Sequence, residues 1–374
     1  MKMNSAGWLE IGDTGDDENR NCVVQRLRQR VFDENVVCLI GSGVSLGAGG
    51  PSMGDLWKLA IAVPDFDYVL AKSGHPNDNQ DIEVFLSRCR IFEQLHGSDK
   101  KLSAFIVEVQ KVIASACRDF LKSTNPLPSH CDFLQRVACR PSDKSRVLVF
   151  TTNYDLCIEQ AAGHIGLPVI DGFSHTSPQR FDGRNYDLDY VRRVPNQREP
   201  SFVEGVFHLY KLHGSVNWKR RDDGQIYRVA ETDDAVMIYP RESKYQLSYQ
   251  QPFLEMMARF QFALRQPNTT LFVLGFGFND DHLAEPIISA LRSNPQFNLV
   301  VAVRGLATKS EGDKANDYLK KLSELAGSTG VENVTLFDGK FDEFVPIIPA
   351  VGGKSEEQRF AEIARLILLP KGIT

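Results

Sequence analysis

The sequence predicts an α/β fold: an open, mostly parallel sheet with helices on both faces, interrupted by a helical insertion. Two observations carry this. Four short apolar runs, rich in β-branched residues, are spread along the chain at Val36–Ile40, Arg146–Phe150, Thr270–Leu274 and Asn298–Val303. Strands covered on both faces read as such continuous runs rather than as an alternation. Between the runs lie stretches with helical spacing, such as Leu283, Ile287, Ile288 and Leu291.

The elements follow in chain order. Residues 1–21 carry Asp13, Asp16, Asp17 and Glu18 and are expected to form a flexible acidic arm. Trp8, Leu9 and Ile11 interrupt it, either as a contact that pins the arm or by chance. The first buried strand, Val36–Ile40, ends at Gly41. From Leu56 to about Arg140 the pattern becomes helical, with Leu102, Phe105, Ile106, Val109, Ile113, Ala116 and Phe120 at helical spacing and Ile82, Phe85 and Leu86 before them. This segment is expected to be an insertion between the first two strands. Residues Ile165 to Arg241 are irregular, rich in Arg, Asp, Gly and aromatics. At the end, Ser355 and Gln358 form a capping-box pattern, Phe360, Ile363 and Ile367 share one face, and Pro370 stops the helix. The expected organisation is an arm (1–21), one domain (22–350) holding the insertion (about 56–140), and a terminal helix (351–374).

A chain of 374 residues suits one large or two ordinary domains. Its 42% hydrophobic and 24% charged residues are those of a globular protein. A net charge of −5 gives no basis for a nucleic-acid surface, and Lys219–Arg221 and Arg192–Arg193 read as solvated loop charges. No apolar run reaches transmembrane length, and the start lacks a signal-peptide pattern, so a cytoplasmic location and no membrane partner are expected. None of the seven cysteines forms a C-x-x-C pair, so no cysteine-based zinc site or other metal centre is expected.

Four motifs follow strands or apolar approaches. Gly41-Ser42-Gly43-Val44-Ser45 has glycines that let a backbone approach a diphosphate and aim amides at it, with two hydroxyl donors. It equally suits a plain turn, and its spacing is not G-x-G-x-x-G. Thr151-Thr152-Asn153-Tyr154-Asp155 stands where open α/β sheets hold ligands, although Asn153 or Asp155 alone could be a helix cap. Tyr210-Lys211-Leu212-His213-Gly214-Ser215 contributes an imidazole suited to proton transfer. Val273-Leu274-Gly275-Phe276-Gly277-Phe278-Asn279-Asp280 is another glycine turn. Asn279 there is open to an N-cap role, a ribose contact, or both.

In order and placement, these motifs resemble the sirtuin family over roughly residues 35 to 305. Gly41–Ser45 is similar to its glycine-rich loop over the NAD diphosphate, and Thr152–Asp155 to its glutamine-asparagine-isoleucine-aspartate signature at the nicotinamide ribose. Leu212-His213-Gly214 is similar to the segment with its catalytic histidine, and Gly275–Asn279 to its turn near the adenosine ribose. Two features depart from the protein-deacylating members: no four-cysteine zinc module can be assembled, and Gly50–Trp57 lacks the proline-x-phenylalanine-arginine stretch. The closer resemblance is to bacterial sirtuin-like proteins of anti-phage defence, which share Leu-His-Gly, Thr-Asn-Tyr-Asp and the Gly-Gly-Pro-Ser-x-Gly-Asp-Leu loop.

That resemblance implies a Rossmann-like fold and an NAD hydrolase (NADase, an NAD glycohydrolase) that releases nicotinamide and ADP-ribose and depletes NAD in abortive infection. NAD is then the substrate, with no zinc. By the same resemblance Asn153 and His213 are catalytic, and Asp155 holds the nicotinamide amide. Gly41, Ser42, Gly43, Ser45, Thr152, Gly275, Gly277 and Asn279 bind the dinucleotide. Unrestrained hydrolysis would harm the host, so a homo-oligomer is expected, with a separately encoded HerA-type ATPase as partner. Alternatives are a non-catalytic NAD or ADP-ribose sensing module, against which Asn153 and His213 count, and an NAD-dependent protein deacylase, against which the missing zinc cysteines count.

Overall fold

The computed structural model describes residues 2–3, 9–10, 17–97, 99–122, 124–193, 199–238, 251–306, 316–326 and 333–350. Its strands are β1 (Lys2–Met3), β2 (Leu9–Glu10), β3 (Asn35–Ile40), β4 (Val147–Thr151), β5 (Val169–Ile170), β6 (Val191–Arg192), β7 (Ser201–Phe202), β8 (Phe207–Lys211), β9 (Trp218–Arg220), β10 (Ile226–Arg228), β11 (Thr269–Leu274), β12 (Phe297–Val303) and β13 (Val334–Asp338). Seven of them form one parallel sheet in the order β13-β12-β11-β3-β4-β8-β5. β2 extends the β13 edge in parallel, and β1 joins β2 antiparallel. The fold is the expected Rossmann-like α/β arrangement, and all four predicted strands lie in it with ends shifted by at most one residue.

Alternate side chains of each central strand enter different cores, which is why these runs are apolar on both faces. Val37 and Leu39 of β3 face the helices Phe253–Leu264, Asp281–Ser293 and Asp317–Ala326 through Met256, Phe260, Leu283, Ile287 and Leu319. Val36, Cys38 and Ile40 face the other layer, helices Asp17–Asp33, Pro128–Ala138 and Cys157–Ile165, through Leu27, Phe133 and Ile158. Each buried side chain of this size contributes roughly 1.5–3 kcal/mol.

The expected insertion divides in two. Helices Met53–Ile61, Phe66–Ser73, Ile82–His96 and Lys100–Asp119 enclose a third core around Trp57, Phe85 and Phe105, which Val216 and Met237 from beyond β8 complete. Helix Pro128–Ala138 instead packs Phe133, Leu134 and Val137 on the sheet. The first of these helices starts at Met53 rather than Leu56, because Ser52 and Asp55 form a reciprocal capping box. The segment expected as a flexible arm is ordered in part: Leu9 pairs with Phe337, and a helix begins at Asp17. The irregular stretch also supplies two strands of the main sheet, β5 and β8, and two small antiparallel pairs, β6 with β7 and β9 with β10. The predicted Ser355–Leu369 helix lies outside the described residues. Among the described residues no helix is long and apolar enough to cross a membrane.

The chain leaves β3 toward β4, β5 and β8, then resumes on the other side with β11, β12 and β13. This reversal between β3 and β11 is a topological switch point, where open α/β sheets form a crevice at their carboxyl ends.

Candidate functional site

Strand register brings the four motifs together. Leu274, Ile40, Thr151 and Lys211 form one rung across β11, β3, β4 and β8. Gly275, Gly41, Thr152 and Leu212 are the next residues on those strands, so every motif emerges at the same level.

At the switch point the two glycine turns interlock. Gly41 N–H donates to the Leu274 carbonyl at 2.9 Å, and Gly43 N–H to the Gly275 carbonyl at 3.0 Å. A Cβ on Gly41 would stand 2.6 Å from Gly275 O, and one on Gly43 2.8 Å from Gly275 Cα. Gly275 has φ +63, and a Cβ there would meet Val44 N at 2.6 Å. These three glycines are required by backbone packing. The amides expected to aim at a diphosphate are therefore committed to protein carbonyls at Gly41 and Gly43.

Beside this interlock lies a buried polar chain. Asn153 Nδ2 donates to the Gly41 carbonyl at 3.1 Å and to Ser45 Oγ at 2.9 Å. Ser45 Oγ–H donates onward to Asp155 Oδ2 at 2.7 Å, and Asp155 Oδ1 accepts from Cys157 N–H at 3.0 Å. Both Asp155 oxygens are thus engaged in holding Ser45 and the start of helix Cys157–Ile165. Gly41 O accepts only, which fixes the amide of Asn153 with its nitrogen toward the loop. Asn153 Oδ1 is left buried with no hydrogen-bond partner among the described residues. A buried acceptor without a donor costs about 1–3 kcal/mol, a penalty that a ligand hydroxyl or water would remove. Thr152 N–H donates to the Ile40 carbonyl at 3.0 Å, and the Thr152 side chain is half-buried.

The segment after β8 closes over this chain. Lys211, buried, pairs with Glu159 at 3.2 Å and donates to the carbonyls of Tyr154 and Asp155. Ser215 Oγ–H also donates to Tyr154 O, at 3.3 Å. His213, 8% exposed, places Nε2 3.2 Å from Asp280 Oδ2. Asp280 caps helix Asp281–Ser293 by accepting from His282 N–H, so the cap is Asp280 rather than Asn279. The His213–Asp280 contact joins the third motif to the fourth, from β8 to the end of β11. Sequence reasoning quoted Asp280 and Lys211 but gave them no role. The spacing of an acid after a strand end was the available signal for Asp280, and only the fold pairs it with a histidine 67 residues earlier.

On the β11–β13 side a cleft of about 1160 Å³ opens at the strand ends. Ser42, Gly43, Gly275, Gly277 and Asn279 line it, joined by Arg304, Lys340 and the segment Asn125–His130. Gly41, Ser45, Thr152, Asn153, Asp155 and His213 are not in its lining; Gly41, Asn153, Ser45 and Asp155 form the hydrogen-bonded chain, and His213 pairs with Asp280. Arg304 and Lys340, missed by the sequence reading, follow β12 and β13 just as the recognised motifs follow β3 and β11. The cleft is as large as the sites that hold a cofactor-sized ligand, roughly 300–1,000 Å³. Among the described residues, no group of three or more His, Cys, Asp or Glu side chains is placed to hold a metal ion.

A family model described as the SIR2-like domain matches residues 147–324, which supports a sirtuin-like relationship and an involvement of NAD, on which that family generally acts. The matched stretch contains Asn153, His213, Gly275 and Asp280, while Gly41–Ser45 precedes it and meets it on the shared rung. No curated protein matches the chain.

Proposed function

We propose that the chain hydrolyses NAD to nicotinamide and ADP-ribose. The observation that carries this reading is the unpartnered Oδ1 of Asn153, whose amide nitrogen is held by Gly41 O and Ser45 Oγ at the switch point, with the His213–Asp280 pair following the ends of β8 and β11 in the same sheet. The adenosine and diphosphate lie along the open cleft, and the nicotinamide ribose reaches the Asn153 cluster. The C1′–N bond breaks with its electron pair going to the pyridine nitrogen, leaving positive charge on the ribose. Water oxygen bonds to C1′ and its proton passes to His213 or to solvent, so that NAD and water become nicotinamide, ADP-ribose and a proton. Asn153 Oδ1 accepts from the attacking water or from a ribose hydroxyl. Asp280 orients the His213 ring and stabilises it when protonated, and Asp155 acts one step back, by fixing Ser45 and through it Asn153.

The biological reading is NAD depletion in anti-phage defence, in the cytoplasm, by a homo-oligomer whose activity a second protein releases; a HerA-type ATPase fits that role. Packed interfaces can be bistable, and a partner can bias them. The deciding experiment incubates purified protein with NAD, alone and with candidate partners, and measures nicotinamide. ADP-ribose binding with no nicotinamide under any condition would indicate a sensing module instead.

A further inference from the structure

The interlock of Gly41 and Gly43 with β11 leaves open what holds the diphosphate, because both amides already donate to protein carbonyls. The facing wall of the cleft offers donors. Helix Pro128–Ala138 begins there, eleven residues long, with no side-chain cap at Leu127 and Pro128 in its first turn. Helical geometry gives the Ser129 and His130 amides no intrahelical acceptor, and the helix dipole puts partial positive charge at this end. Leu127 adopts φ +44, left-handed for a residue with a Cβ, a conformation that persists where surrounding structure enforces it.

A second observation concerns a side chain rather than the helix backbone. His130 lines the same cleft and is 3% exposed, and its Nε2 has no hydrogen-bond partner among the described residues. Its ring rests on Phe341, centroids 5.2 Å apart. Burial pushes the imidazole down to about 4, so it is neutral near pH 7, and with the proton on Nε2 it presents an uncharged N–H donor. Arg304 and Lys340 on the cleft add positive charge.

We propose that the amino end of helix Pro128–Ala138, together with His130 Nε2–H, forms the diphosphate-binding wall of the cleft. This rests on the reading of the cleft as a dinucleotide site. Calorimetric titration of ADP-ribose and of adenosine into the full chain tests it. His130→Phe should weaken ADP-ribose by roughly tenfold to a hundredfold, the range for a hydrogen bond to a charged group, and leave adenosine unchanged. His130→Gln, which keeps an N–H donor, should recover most of the loss. Unchanged ADP-ribose affinity in a folded His130→Phe overturns the proposal, as does an equal loss for adenosine. Nicotinamide release by a wild type that does not bind ADP-ribose overturns it too, leaving hydrolysis standing. A wild type that neither binds ADP-ribose nor releases nicotinamide removes both.

Discussion

On one side of β3, the ends of β4 and β8 carry polar groups that hold one another, Asn153, Ser45, Asp155 and Lys211, and His213, which Asp280 holds. On the other side, the ends of β11, β12 and β13 open onto a cleft of about 1160 Å³. The same sheet therefore builds a closed, hydrogen-bonded half and a roomy half, with the glycine interlock as the seam. The difference teaches how labour is divided along one ligand. A reacting bond gains most from oriented dipoles away from water, whereas the part that only binds needs space and a few donors. It follows that substitutions in the closed half should remove turnover and spare binding, and that those in the open half should do the reverse.

The largest effect is expected at Asn153. Asn153→Ala removes the unpartnered acceptor and the link to Ser45, and should lower NAD turnover on the order of a hundredfold or more. ADP-ribose binding should survive within a few-fold. A folded variant with near-normal nicotinamide release would break the comparison at its strongest point. Next comes the His213–Asp280 pair. His213→Ala should also cost on the order of a hundredfold, whereas Asp280→Asn keeps a good helix cap and should cost roughly tenfold through loss of ring orientation. A structural pair would instead lower the melting temperature in both variants, with activity falling only in proportion.

Gly275→Ala tests the seam. The substitution forces a Cβ into a left-handed position 2.6 Å from Val44 N, which should cost roughly 2–4 kcal/mol of stability. Because β3 and β11 separate there, binding and turnover should fall together, unlike in any variant within one half. Denaturant unfolding and ADP-ribose titration check the two parts.

Much of this was legible in the sequence, for a physical reason. Strands such as Thr269–Leu274, buried at every position, have no polar face to disguise them. β8 was harder to see, because Phe-His-Leu-Tyr-Lys carries His208 and Tyr210. Their polarity is absorbed by packing: Tyr210 stacks on Phe150 at 4.4 Å and on Tyr186 at 4.2 Å, and His208 meets the Tyr210 hydroxyl. The site motifs were legible as strand ends, but their partners were not. Nothing local says that Ser45 joins Asn153 to Asp155 or that His213 meets Asp280, since register across four strands decides both.

A smaller, pH-dependent effect probes each half through one buried ring. Burial pushes His130, on the cleft, and His208, on β8, down to about 4. The unfolded chain takes up these protons near pH 6.5. Their contribution to stability is complete above that pH, declines as pH falls toward 4, and is flat below. At pH 5 the loss is about 2 kcal/mol for each ring. Melting temperature should drop between pH 7 and pH 5, and His208→Phe should reduce that drop. An undiminished drop in the variant means the ring is not held neutral.

The smallest effect is expected at Gly47, four residues after Gly43 in the same loop. In sequence the two glycines look alike, and both line the cleft. A Cβ on Gly43 would stand 2.8 Å from the Gly275 backbone, but one on Gly47 would meet nothing within 4 Å. The loop turns there as a short 3₁₀ segment, Leu46–Ala48, which alanine accommodates. Gly47→Ala should therefore be neutral or stabilise by about 0.4–1 kcal/mol, because the unfolded chain loses freedom while the folded one loses nothing. Turnover should be unchanged, since Gly47 lies outside the Asn153 cluster. ADP-ribose affinity is the informative readout. If it too is unchanged, the ligand runs along the Gly275 and His130 side of the cleft. If it falls tenfold, the dinucleotide crosses Gly47, and the open half extends further over the Leu46–Ala48 turn than its glycine seam implies.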